Sequence, residues 1–229
     1  MKPRVAVLIS GRGSNMAALI AAAALPGYPA QITLVLSDRE EAAGLALAAQ
    51  AGVAVKAIPA KGRPREAFEA AAQAELEAHR ADFVALAGFM RVLSPEFVAR
   101  WEGRILNIHP SLLPSFRGLD THARALAAGV RLHGCTVHLV TAGVDEGPIL
   151  AQGAVPVLEG DTEEALAARV LVQEHRLYPA ALSWLVEGHA WLEKGRVVVA
   201  APASGGTLLN PLPDFPGLPT QAADAKGTI

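Results

Sequence analysis

Hydrophobic positions fall along the chain in short blocks, and the character of each block predicts an element. Val5-Ala-Val-Leu-Ile9 is a continuous apolar run ended by Ser10-Gly11, the pattern of a strand buried on both faces. An Ala-rich stretch from about Met16 to Ala24 is predicted helical and is stopped by Pro26-Gly27. The alternation then repeats. Ile32–Leu36 reads as a strand, Glu40–Ala51 as a helix stopped by Gly52, and Val53–Ile58 as a third strand. Pro64 at a first-turn position opens a helix through His79. Phe68, Leu76 and alanines form its apolar face, leaving Glu66, Glu69, Glu75 and Glu77 expected on the solvated side. Phe83–Ala87 is a fourth strand, and Ser94-Pro95-Glu96 has the form of an N-cap followed by Pro at the first helical position. Arg104–His109 is a further short buried strand, with Ile105, Leu106 and Ile108 as its apolar content.

Strand–helix units at this spacing predict a parallel sheet wound right-handedly, with helices on both faces. The second half changes character. After a helix from Asp120 to Gly129, the strands Leu132–Thr141 and Pro148–Val157 are joined by a connection too short for a crossover, so they pair antiparallel. Gly160-Asp-Thr-Glu-Glu164 carries an Asp-x-x-Glu capping signal for a long helix to about Val186. Ala190–Leu192 and Arg196–Ala200 suggest a terminal hairpin about Glu193-Lys-Gly195. The expectation is a single α/β domain over residues 1–200 with a doubly wound sheet of about seven strands, mostly parallel and then mixed. From Ala201 to Ile229, Pro, Gly, Ser and Thr dominate, and Pro202, Pro211, Pro213, Pro216 and Pro219 leave a tail without regular elements.

Composition narrows the function classes. Apolar residues make up 52% and charged residues 18% of 229, enough for a full core and against disorder. No run of about 18 apolar residues exists to span a membrane. The formal net charge of −2 leaves no electrostatic footprint for nucleic acid or an anionic surface. Val5–Ile9 is too short for a signal peptide. Cys135 is the only cysteine, which excludes a disulfide framework and a thiolate metal site. A cytoplasmic protein acting on small molecules, monomer or homodimer, is expected.

The candidate chemistry sits at strand ends. Asn107 and His109 are spaced i, i+2, so both point to one side of their strand, and Pro110, Pro114 and Gly118 keep the following loop irregular. In an open α/β sheet the carboxyl ends of the strands are where ligands bind. Gly11-Arg-Gly-Ser-Asn15, between the first strand and first helix, presents free backbone N–H groups and the positive end of a helix dipole, a place for phosphate. Ser14 and Asn15 suit both helix capping and phosphate contact. A dinucleotide fingerprint would want Gly or Ala at position 16, where Met16 stands, although Asp38 lies where a ribose-binding acid would sit. A monophosphate is the favoured ligand. Asp145, in a Gly-bounded loop, fits a turn-former better than a catalyst on its residue type alone. Beside His109 it would favour the imidazolium and orient the ring. Ser111 lacks the Gly-x-Ser-x-Gly elbow of a hydrolase. His122, His133 and His138 have no familiar zinc spacing, so no metal is expected.

Asn107-Ile-His-Pro-Ser-Leu-Leu-Pro114, with Gly118-Leu-Asp-Thr-His122 after it, resembles the core of the folate-dependent glycinamide ribonucleotide transformylases, and the resemblance runs from Val5 to about Val199. It implies a formyltransferase, Rossmann-like fold with a phosphate-binding half over about 1–100 and a folate and catalytic half over about 85–200. It also implies that 10-formyltetrahydrofolate, as co-substrate, donates a formyl group to the amine of 5′-phosphoribosylglycinamide in purine synthesis. By the same resemblance Asn107, His109 and Asp145 are catalytic, and Gly11, Arg12, Gly13, Ser14 and Asn15 hold the phosphate. Glu174, which on residue type alone reads as solvent-facing, corresponds to a ribose-binding glutamate. Arg65, Phe89, Met90, Arg91, Val92, Leu93 and Asn107 are implied for folate. Arg12 and Ser115-Phe-Arg117 depart from the family pattern. Related formyltransferases and a formyltetrahydrofolate hydrolase carry shorter versions of the motif. The competing readings are such a hydrolase, an NAD-linked oxidoreductase and a silent phosphate-binding module.

Overall fold

The computed structural model describes residues 1–200; the tail expected over 201–229 lies outside the described residues. In chain order the elements are β1 (Arg4–Ile9), α1 (Ser14–Ala23), β2 (Gln31–Ser37), α2 (Ala43–Gln50), β3 (Ala54–Ala57), α3 (Arg65–Ala78), β4 (Phe83–Leu86), α4 (Pro95–Arg100), β5 (Ile105–His109), α5 (Thr121–Ala127), β6 (Leu132–Leu139), β7 (Ile149–Pro156), α6 (Glu163–Val186), β8 (Ala190–Glu193) and β9 (Arg196–Val199). A seven-stranded sheet runs in the order β3-β2-β1-β4-β5-β6-β7, with β8 and β9 as a separate antiparallel hairpin. Strands β1 to β5 pair parallel, and β5–β6 and β6–β7 pair antiparallel. The sheet is therefore mixed in its second half, as the short 140s connection requires.

The apolar runs are continuous because both sheet faces are covered. On one face Val5, Val7 and Ile9 pack with Met16 and Leu19 of α1 and Tyr178 and Leu182 of α6. On the other, Ala6 and Leu8 pack with Phe68 and Leu76 of α3 and Phe97 and Trp101 near α4. Strand side chains alternate between faces, so each strand feeds both layers. Truncating a fully buried aromatic such as Phe68 to Ala would cost about 3–5 kcal/mol. Cys135 is a buried strand residue whose thiol is pushed up to about 12 by burial. Among the described residues no helix is long and apolar enough to cross a membrane, and no metal-ligating cluster is present.

Several local expectations are corrected. Helix α1 starts at Ser14, its N-cap being Gly13 in the left-handed region with no side-chain cap, so Ser14 and Asn15 do not cap it. Helix α6 is capped by Thr162, whose hydroxyl accepts from Ala165 N–H, because Asp161 is engaged by Arg169 at 2.8 Å through both oxygens. Pro64 is the N-cap of α3 rather than its first helical residue. Glu69 is buried, not solvated: it accepts from the backbone N–H and hydroxyl of Ser94, at the positive end of α4. Ser94 in turn caps α4, accepting from Phe97 N–H, with Pro95 following as expected.

Candidate functional site

The strand order reverses between β1 and β4, and the loops leaving their carboxyl ends meet there, where the fold leaves a crevice. Ser10 N–H donates to Gly88 O at 3.1 Å and Met90 N–H to Ser10 Oγ at 2.9 Å, locking the two loops together. A cleft of about 870 Å³ opens along these strand ends and continues past β5 and the 140s loop; a hollow of about 140 Å³ adjoins it at the Gly-rich loop.

Most of the residues proposed from sequence converge here. Arg12, Ser14, Asn15, Phe89, Met90, Arg91, Val92, Leu93, Asn107, His109, Asp145 and Glu174 line the cleft, and Gly11 and Gly13 line the adjoining hollow. Arg65 is not brought in. It opens α3 on the surface, 3.8 Å from Glu66, outside the cleft lining. Asp38 is buried just after β2 and lines neither space, which removes the acid a dinucleotide ribose would need.

The Gly-rich loop works through its backbone. Gly13 has φ +75°, and a Cβ there would stand 2.9 Å from Gly44 Cα and 3.1 Å from Met16 Cε, so the tight turn requires glycine. The N-terminus of α1 carries neither side-chain cap nor acidic residue, so its first N–H groups have no intrahelical acceptor and its dipole is not offset by a carboxylate. Asn15 instead acts through its side chain. Its Nδ2 donates to Glu174 Oε2 at 2.7 Å, while its Oδ1 is buried without a partner. Glu174 is only 6% exposed. Tyr178, one turn further along α6, donates its hydroxyl to Leu86 O at 2.9 Å and anchors the helix over the β4 end, which carries Glu174 onto the cleft. Burial raises the Glu174 pKa and the Asn15 bond partly offsets this.

At the other end of the cleft, His109 Nδ1 lies 3.3 Å from Asp145 Oδ2 and His109 Nε2 lies 3.0 Å from Phe116 O. Both ring nitrogens face acceptors, the arrangement that suits an imidazolium. Burial nevertheless lowers the His109 pKa, outweighing the Phe116 carbonyl and the Asp145 charge, which raise it; His138 and Arg124 lower it further. For Asp145 the balance goes the other way. Burial pushes its carboxyl up, but His138, the Gly118 N–H at 2.9 Å and the His109 charge together hold it below its ordinary value. The carboxylate persists through neutral pH. Asp145 and Phe116 both hold positive φ, 52° and 55°, which non-glycine residues adopt where the surroundings impose it.

His138 is a site residue that sequence reasoning missed. Its Nδ1 is 3.0 Å from Leu139 O, an acceptor only, so that nitrogen carries the proton. In the neutral ring Nε2 then accepts from Asn107 Nδ2, 3.2 Å away, fixing the Asn107 amide with its second N–H free for the cleft. The same Nε2 is 3.7 Å from Asp145 Oδ1, and it is the charged ring, with a proton on Nε2, that favours the Asp145 carboxylate. The signal was available: Thr136 and His138 show the same i, i+2 spacing as Asn107 and His109, and β6 pairs His138 with Asn107 and Thr136 with His109. The Phe116 carbonyl and Gly118 N–H were invisible by residue type. Gly147, which closes the 140s loop, must lack a side chain because a Cβ would collide with Leu139 O.

The doubly wound sheet thus carries the Gly11–Asn15 turn at one end of the cleft and the cluster of Asn107, His109 and Asp145 at the other, the layout of an open α/β ligand-binding fold. The chain belongs to the formyl transferase family, whose model matches residues 3–182. It is 44% identical over 201 residues to the phosphoribosylglycinamide formyltransferase of Escherichia coli (strain K12), covering 84% of this chain and 95% of that protein. It is also 49% identical over 198 residues to the trifunctional purine biosynthetic protein adenosine-3 of Bos taurus, covering 86% of this chain. The match takes in only 20% of that longer relative. Among solved structures, phosphoribosylglycinamide formyltransferase from Brucella melitensis is 59% identical with a TM-score of 0.78, over 81% of this chain and 96% of that one. A formyltetrahydrofolate deformylase from Pseudomonas syringae is a more distant likeness at 27% identity, TM-score 0.82, over 87% of this chain and 66% of that one.

Proposed function

We propose that this chain transfers the formyl group of 10-formyltetrahydrofolate to the amine of 5′-phosphoribosylglycinamide in purine synthesis. The observation that carries the reading is the continuity of one cleft from the phosphate cradle at Gly11–Asn15 to the corner of Asn107, His109 and Asp145. The cradle and Glu174 suit a phosphorylated ribose, with Glu174 accepting from ribose hydroxyls. Phe89, Leu93 and Val140 give the middle of the cleft an apolar lining for a flat ring, with backbone groups of the 88–93 and 141–144 loops at its edge. Arg65 is left as a candidate for the anionic end of the folate only if that end reaches beyond the cleft.

The neutral amine attacks the formyl carbon, and negative charge develops on the formyl oxygen. Asn107 Nδ2–H and the His109 imidazolium supply the donors, each worth about 3 kcal/mol of transition-state stabilisation. For His109 to serve, its Nε2–H exchanges the Phe116 carbonyl for the formyl oxygen. The C–N bond to the folate then breaks, and the proton lost by the attacking amine ends on the folate nitrogen. The chain needs no nucleophile of its own, because the acceptor is one. The implied setting is a cytoplasmic enzyme, monomer or homodimer, acting on two small molecules without a metal.

The test mixes 10-formyltetrahydrofolate with phosphoribosylglycinamide and follows formylated product and formate together. Stoichiometric product with little formate is expected. Formate released at the same rate without the amine would make the chain a hydrolase instead.

A further inference from the structure

We propose that Thr136 and Gln152 are positioning residues for the His109–Asp145 pair, acting through the motif loop between β5 and α5. Neither residue lines the cleft. Thr136 is fully buried on β6, directly opposite His109 in the antiparallel pairing. A hydroxyl has one proton and two lone pairs, and all are used. Thr136 Oγ1 donates to Ser111 O at 2.7 Å and accepts from Leu113 N–H at 3.0 Å and from Gln152 Nε2 at 3.0 Å. The second Gln152 amide proton reaches Leu113 O at 2.8 Å. Ser111 Oγ then donates to Ser115 O at 2.6 Å, and Ser115 N–H to Leu112 O at 3.0 Å. The first half of the loop is thus tied to β6 and β7 by side chains that make no contact with the reacting groups.

The second half of the loop does make that contact. One residue past Ser115, the Phe116 carbonyl meets His109 Nε2, and two further on Gly118 N–H meets Asp145 Oδ2. Phe116 holds φ 55°, which an aromatic residue rarely adopts, so its carbonyl stays on His109 only while the flanking chain is fixed. The fixing comes from the Thr136–Gln152 hub on one side. Arg124 over the Phe116 ring at 5.7 Å and the edge contact of that ring with His133 at 5.9 Å hold the other. The titratable and charged groups around His109 are Asp145, His138, His122, His133 and Arg124, and none of them belongs to the hub. Loss of the hub therefore leaves every charge in place and loosens only the loop. Positioning fails while electrostatic composition does not change.

This rests on the formyl-transfer reading for its meaning, but the decisive readout needs no substrate. The His109 imidazole is titrated by NMR in Thr136→Val, Thr136→Ser and Gln152→Leu, and kcat/KM is followed against pH with kcat and KM separated. The Phe116 carbonyl favours the charged ring, so Thr136→Val is expected to shift the His109 titration to lower pH and move the basic limb with it. It should also lower kcat about 10- to 100-fold with both KM values within about twofold. The loosened loop no longer aims Gly118 N–H at Asp145, the contact that persists once His109 Nε2–H turns from the Phe116 carbonyl to the formyl oxygen. Thr136→Ser restores the hydroxyl and should match the parent in both readouts. Gln152→Leu, on an exposed edge-strand residue, should shift both in the same direction by less, and it carries the test should Thr136→Val fail to fold. An unmoved His109 titration in the folded variants would overturn the proposal, whatever happens to Tm or turnover. A shifted titration without formyl transfer to the amine would uphold the hub and reject the functional reading instead.

Discussion

The two ends of the cleft solve their problems in opposite ways. The proposed phosphate cradle is contiguous in sequence, built from backbone N–H groups and a helix terminus, and demands glycine at Gly13. The corner of Asn107, His109 and Asp145 draws on β5, β6, the motif loop and the 140s loop, and demands particular side chains. Holding a fixed charge needs only oriented dipoles, which one turn of chain supplies. Setting a proton's affinity needs burial, an opposing charge and hydrogen bonds balanced against each other, and these come from distant segments. Changes at the cradle should therefore act on the binding of one substrate, and changes at the corner on turnover and its pH dependence.

The largest effect is expected at the corner. Asp145→Asn keeps the shape and removes the charge that raises the His109 pKa, so the imidazolium is lost at lower pH. On the proposed mechanism the active form carries the protonated ring, so the basic limb of kcat/KM moves to lower pH. Turnover near neutrality should fall by about two to four orders of magnitude with both substrates still bound. His109→Ala should be similarly poor and the double variant scarcely worse than the worse single, since the two act as a unit. Clean additivity, or an unshifted limb, would mean that Asp145 only shapes its turn.

Next comes the cradle. Gly13→Val places a β-branched residue at φ +75° against Gly44 and Met16. The KM for the phosphorylated acceptor should rise at least about tenfold while that for the folate stays within about twofold, and Tm should fall because α2 must yield at Gly44. An equal loss for both ligands would show that the loop serves the fold alone, and the contrast between the two ends would collapse.

Glu174→Gln sharpens the contrast further, because here the cradle end does use a titratable group. Burial raises this carboxyl, so in the parent acceptor binding should weaken on acidification sooner than for an ordinary glutamate. The variant should bind the acceptor about tenfold more weakly at neutral pH, the scale of a hydrogen bond to a charged group, and lose that pH dependence. Isothermal titration across about pH 5–8 would separate these outcomes; a variant with unchanged affinity and slope would place the ribose elsewhere.

How much of this was legible follows the same division. The turn at Gly11–Asn15 was legible because Gly-x-Gly between an apolar strand and an Ala-rich helix marks a tight turn, whereas the bond from Asn15 to Glu174 was not, since its partner arrives from α6. The layer architecture was readable because strands covered on both faces leave uninterrupted apolar runs such as Val5–Ile9. What escaped was tertiary. Glu69 looked like helix surface until Ser94 arrived from the next unit, and Asp161 looked like a cap until Arg169 took both its oxygens. His138 was passed over because its significance lies in the register of β6 against β5. Asp145 drew its weight from the family resemblance; the 3.3 Å approach to His109 gives it a physical basis.

The smallest effect concerns stability, and it tests whether acid sensitivity belongs to the corner. His109, His122 and His133 lie beneath or beside the motif loop, and burial lowers the pKa of each, that of His133 to about 4. The rings of His122 and His133 meet edge-on at 5.2 Å, and neither nitrogen of His133 has a well-formed hydrogen bond. A group whose folded pKa lies below its unfolded value contributes stability that is complete above the unfolded value and is lost as pH falls through the folded one. For His133 that window runs from 6.5 down to about 4, where the unfolded chain binds a proton that the folded chain refuses. Each such proton gives a slope of about 1.4 kcal/mol per pH unit at most. His133→Phe keeps a ring for the edge contacts and removes the titration, so its unfolding free energy should match the parent near pH 7.5 and fall less steeply towards pH 4.5. Urea denaturation at a series of pH values measures both curves. Parallel curves across the whole range would place the acid sensitivity outside this histidine cluster.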